Sequence, residues 1–92
     1  MFEAYRQKIN QIDQQMVGLW EERIKIVEEI ASIKQAQGME VLDEAREIKV
    51  IEQAKSYLSD PDLSPLLEEF MQEVLRLSRK HQVTWMNRHE EE

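Results

Sequence analysis

Arg23, Val27, Ile30 and Lys34 fall along one strip of a segment whose surrounding pattern is helical. Eleven steps of 100° return Lys34 to nearly the face of Arg23, about 16 Å further along the axis. Two long cationic side chains leaning inward over an apolar floor suit the grip of one small anionic molecule. Arg23 also stands in an inward column of that helix, where Leu or Ile would be ordinary. A charge there is costly unless something pairs with it.

Asp43, Arg46 and Glu47 stand at i, i+3 and i+4, which gathers another cation and two carboxylates on one helical face. Further on, Ser78 and Gln82, at i and i+4, interrupt the apolar stripe of Met71, Leu75 and Trp85. Hydrogen-bonding side chains turned inward need partners, and a polar ligand is one source of them. Most of these features also have an ordinary structural explanation. Asp43 suits a helix N-cap, Arg46 and Glu47 suit a solvated face, and Lys34 suits a helix C-terminus. Ser78 and Gln82 can bond each other or the backbone. His81 reads as a packing histidine rather than a base, and Trp20 and Trp85 read as core or interface aromatics. Arg23 is served least well by such explanations, because an arginine in the seam of a soluble coiled coil is uncommon.

The elements that must position these residues are helices. Gly and Pro number two each and charged residues make up 34% of the 92-residue chain, a composition that favours an all-α fold. Ile9, Ile12, Met16, Leu19, Ile26, Ile30 and Ile33 recur at three-four spacing, which predicts a first helix over 3–36 closed by Gly38. Gly18 inside it costs about 1 kcal/mol relative to Ala. A second helix is expected over 43–58, with Ala45, Ile48, Ile51 and Leu58 inward. A third is expected over 64–86, behind a Ser64 cap and Pro65. SDPDLSP links the two, the acidic tail 87–92 is expected to fray, and 1–92 reads as one domain.

A net charge of −7 with no basic stripe argues against nucleic acid as a partner. There is no Cys, and the two His lie eight apart, so no metal-ligand spacing stands out. No apolar run approaches the roughly 20 residues of a membrane span, and MFEAYRQK has no signal-peptide core. The cytoplasm is the expected location, with no membrane partner. Helix length implies a protein partner instead. A first helix of about 34 residues reaches roughly 51 Å, while a compact chain of this size has a radius of gyration of about 12 Å. Its apolar seam is therefore expected to meet a second copy in a two-fold homodimer. Pairing two such helices antiparallel about residue 19 would carry Arg6 of one protomer between Arg23 and Lys34 of the other.

Taken together, RQKINQIDQQMVGLWEERIKIVEEIASIK, VLDEARE and LSRKHQ resemble the all-helical (type II) chorismate mutases, over nearly the whole chain. The family's order of polar positions is present as Arg6, Asp13, Glu22 with Arg23, Lys34, Asp43 with Arg46 and Glu47, and Ser78 with Gln82. MVGLW departs from it, with Gly18 and Trp20 where the family usually keeps a leucine-rich run. The resemblance implies three helices per chain in an intertwined helical homodimer, without a cofactor or metal. It implies rearrangement of chorismate to prephenate, toward phenylalanine and tyrosine. By the same resemblance, Arg6 of one subunit and Arg23, supported by Arg46 and Ser78, would bind the substrate carboxylates. Lys34 and Gln82 would hydrogen-bond the ether oxygen of the breaking bond, and Glu47 with Asp43 would take the ring hydroxyl. Arg23, Lys34, Glu47 and Gln82 would then be the catalytic set.

Two other functions fit the same elements. One is a lyase releasing pyruvate from isochorismate on the same scaffold, and Glu47 placed for a ring hydroxyl favours the mutase over it. The other is a non-catalytic helical dimer or regulatory homologue, in which a buried Arg23 would only cost stability.

Overall fold

The computed structural model describes residues 1–90. Three helices follow one another: α1 (Glu3–Gln37), α2 (Glu44–Ser56) and α3 (Ser64–Arg88), with a 3-10 turn at Pro61–Leu63. The described residues contain no strand, in keeping with the all-α expectation.

Local chemistry sets the ends. α1 stops at Gly38, whose φ of 65° is left-handed. That bend lets the Gly38 and Met39 amides donate to the Gln35 and Lys34 carbonyls at 3.3 and 2.8 Å. α2 opens at Asp43, whose carboxylate accepts from the Arg46 amide at 3.0 Å. It closes at Ser56, two residues before the expected limit, where the Tyr57 and Leu58 amides turn to the carbonyls of Ala54 and Lys55. The expected Ser64 cap is not made. Ser64 already has helical angles (φ −54°, ψ −45°), because the 3-10 turn runs straight into α3. The capping carboxylate lies upstream at Asp60, which accepts from the Asp62 amide at 3.0 Å. α3 passes the expected end at 86, so Asn87 and Arg88 are helical rather than frayed. His89 caps it, its ring stacked on Trp85 with centroids 3.9 Å apart. The last two residues of the expected acidic tail lie outside the described residues.

Cross-helix bonds fix the directions. Arg23, Glu28 and Gln35 of α1 meet Ser78, His81 and Met86 of α3 in ascending order, so these helices run parallel. Glu47 and Lys55 of α2 meet Arg79 and Glu68 of α3 in descending order, so α2 runs antiparallel to α3. α3 is thus the common wall on which both other helices lie.

The core of one chain is thin. Its buried apolar residues are Val27, Ala31 and Leu75. Every residue from 3 to 20 is exposed, as are Ile26, Ile30 and Ile33. The molecule is 58 Å long with a radius of gyration of 16.4 Å, well beyond a compact chain of its size. α2 departs in part from the expected inner face, keeping Ile51 and Leu58. Ala45 and Ile48 point outward, Ile48 with 59% of its surface exposed, while Glu47, Val50, Ile51, Ala54 and Leu58 turn toward the other helices. No described helix is long and apolar enough to cross a membrane.

Candidate active site

The three helices and the turn after α1 close around a cavity of about 270 Å³, at the small end of ligand sites. Its lining includes Arg23, Lys34, Asp43, Arg46, Glu47, Ser78 and Gln82, seven of the eight residues to which the resemblance gives a role toward substrate. Val27, Ile30, Val50 and Leu75 supply the apolar surface between them.

Each polar side chain reaches the cavity for a local reason. Arg23 leaves α1 on the face that meets α3, where its guanidinium donates to the Ser78 hydroxyl at 2.7 Å. That hydroxyl donates in turn to the Val74 carbonyl one helical turn back, at 2.8 Å. The seam arginine is therefore half-buried and partly paired within its own chain. Lys34 sits in the last turn of α1, and its ammonium donates to the Val41 carbonyl at 2.7 Å, tying the helix end to the turn beyond Gly38. One of its three hydrogens is used there, leaving two for other acceptors. Asp43 caps α2, as its spacing allows, and its first turn presents Arg46 and Glu47 beside it. Gln82 is 93% buried, and its amide oxygen has no hydrogen-bond partner among the described residues. A buried acceptor left unpaired is costly and uncommon.

Spacing alone passed over Arg79. It lines the cavity and forms an ion pair with Glu47, joining α2 to α3. The available signal was its position three residues before Gln82, on the same helical face. The Val41 carbonyl was also passed over, since no side chain announces a backbone acceptor. His81 lies outside the cavity, with Nε2 at 2.6 Å from a Glu28 carboxylate oxygen, so it ties α1 to α3. Trp20 flanks an apolar cleft and Trp85 stacks on His89.

Arg6 is the eighth residue, and its own chain does not bring it to the site. It is exposed near the start of α1, with its guanidinium carbon 5.8 Å from the Phe2 ring centre. Seventeen residues of helix separate it from Arg23, about 25 Å.

The cavity carries four cationic side chains, Arg23, Lys34, Arg46 and Arg79, against the carboxylates of Asp43 and Glu47. A local surplus of two positive charges in a chain of net charge −7 marks a place where a dianion can be held. Arginine forks suit carboxylates, and the remaining Lys34 hydrogens and the Gln82 amide can serve a neutral or developing oxygen.

Comparison with curated proteins returns no match. A comparison with family models matches residues 5–83 to the family described as chorismate mutase type II, a span that holds all ten polar positions, the whole of α2 and most of α1 and α3. The chain belongs to the type II chorismate mutase family.

Proposed function

We propose that the chain is a chorismate mutase, converting chorismate to prephenate in the cytoplasmic synthesis of phenylalanine and tyrosine. The observation that carries this reading is the ring of cations around a small cavity whose wall also holds the buried Gln82 side chain. The reaction moves electrons within one flexible dianion, breaking a C–O bond while a C–C bond forms. Such a step needs no nucleophile or proton shuttle. It needs the substrate folded into its reactive shape and fixed donors where charge grows on the ether oxygen. Arg23, with Arg46 and Ser78 in support, binds carboxylate. The Lys34 ammonium and the Gln82 Nε2 amide group donate to the ether oxygen. Glu47, with Asp43 alongside, accepts from the ring hydroxyl. Anchored by the Val41 carbonyl, Lys34 has less freedom to lose as it takes up that role.

The proposed enzyme is a two-fold intertwined homodimer in which Arg6 of each subunit completes the other's site. Support comes from the first half of α1, where Ile9, Ile12, Met16 and Leu19 are exposed. It also comes from an apolar cleft of about 560 Å³ between Met16 and Trp20 of α1 and Phe70 and Met71 of α3, which reaches Arg23. A second α1 fits both features.

The test is incubation of the purified protein with chorismate, following loss of its ultraviolet absorbance and appearance of prephenate. Isochorismate serves as the parallel substrate. Pyruvate released from isochorismate with chorismate untouched would replace this reading with the lyase. Inertness toward both would leave a binding module.

A further inference from the structure

Arg79 belongs to no part of the mechanism above, yet it is the cavity cation bonded to the carboxylate that the mechanism uses. It projects from α3 beside the buried Gln82, and its guanidinium donates to Glu47 Oε1 across the α2–α3 contact. Glu47 Oε2 has no hydrogen bond among the described residues. The pair is partly shielded, with 33% of the Arg79 side chain and 22% of the Glu47 side chain exposed. This differs from Glu73 with Arg76 on the same helix, where more than half of each side chain is in solvent.

The setting gives the pair a task. Glu47 has three side-chain torsions and stands in a cavity that also holds Arg23, Lys34 and Arg46. A glutamate free to swing would be drawn to those cations and would occupy donors meant for the substrate. It would also lose its aim at a hydroxyl. A guanidinium on the opposite helix counters both tendencies, because it takes one oxygen and leaves the other directed elsewhere.

We infer that Arg79 is a positioning residue for the proposed reaction: it holds Glu47 away from the carboxylate-binding cations and turns Oε2 toward the ring hydroxyl of the substrate. The inference rests on the mutase reading, and it assigns Arg79 no contact with substrate. Its effect passes through Glu47.

A double-mutant cycle on chorismate turnover tests it, using wild type, Arg79→Ala, Glu47→Ala and the pair, with Arg79→Lys as the conservative variant. Arg79→Ala is expected to lower kcat/KM by about 10- to 100-fold, with Arg79→Lys recovering part of the loss. In the Glu47→Ala background, removing Arg79 is expected to cost little more, so the two losses do not multiply. Losses that multiply would overturn the inference, since Arg79 would then act on substrate or fold independently of Glu47. So would a lowered melting temperature with unchanged kinetics. If Arg79→Ala melts below the assay temperature, Arg79→Gln keeps most of the side-chain length and carries the same cycle. A wild-type protein inactive on chorismate overturns the mutase reading and this inference with it. An active wild type with multiplying losses overturns the inference alone.

Discussion

Lys34 offers the cleanest test of the proposed mechanism, because its ammonium makes one hydrogen bond within the described residues, to the Val41 carbonyl. Lys34→Ala removes that bond and exposes no core, so helicity is expected to stay near wild type by circular dichroism. On the proposed mechanism the developing charge loses a preorganised donor, and kcat is expected to fall about 100- to 1,000-fold. Arg23→Leu gives the complementary result. The substitution replaces a half-buried cation with an apolar side chain, while Ser78 keeps its bond to the Val74 carbonyl. The urea midpoint is expected to hold or rise while turnover on chorismate collapses. A purely structural arginine would lower the midpoint and leave the turnover of the folded protein near wild type. Residue types and spacing made most of these positions legible, because cations on an apolar strip and inward Ser and Gln conflict with simple packing. Arg79 was harder to find. Its meaning depends on α2 crossing α3 at Glu47, a long-range contact that neither helix records in its own sequence.

Among the helices, α1 was the easiest to read, since its apolar positions repeat over many turns and Gly38 supplies a left-handed stop. α2 has only 13 residues and few apolar ones, so several inner faces fit its pattern about equally. Its orientation follows instead from Glu47 and Lys55 finding partners on α3, which turns Val50 and Ala54 inward and Ala45 outward. The two glycines test the account of α1 in opposite directions. A Cβ added at Gly18 meets nothing within 4 Å, and the backbone there is helical. Gly18→Ala is therefore expected to stabilise by about 1 kcal/mol with activity unchanged, and a loss instead would mark Gly18 as a point of close helix approach in the dimer. Gly38 also has open space around it, but its φ of 65° disfavours any L side chain. Gly38→Ala is expected to destabilise by about 1–2 kcal/mol. Urea unfolding at one fixed protein concentration measures both, since an assembling chain gains stability with concentration.

At the scale of the whole molecule, one chain has too little buried surface for its length. Each large aliphatic side chain left in water forgoes roughly 1.5–3 kcal/mol of burial, and Ile9, Ile12, Leu19, Ile26 and Ile33 are all exposed. The sequence could announce this mismatch through helix length, but not the manner of its resolution, because a two-fold interface has no signature beyond an uncovered apolar face. If two copies interlock so that Arg6 crosses into the neighbour's cavity, the arrangement has a consequence that no monomeric site shares. Arg6→Ala and Arg23→Ala would each abolish activity as homodimers. In a mixed dimer, the Arg6→Ala subunit keeps its own Arg23 and receives an intact Arg6, while its partner's site carries both lesions. Mixing the two inactive proteins under conditions that exchange subunits should therefore restore about a quarter of wild-type turnover, from one working site in half of the dimers. Activity that stays at background after exchange, verified by mass spectrometry of mixed dimers, would place all binding groups within one chain. Leu19→Glu should give the corresponding loss by a different route. A charge in the shared seam would disfavour assembly, so the chain is expected to sediment as a monomer and to turn over little chorismate, Arg6 having no neighbour to reach.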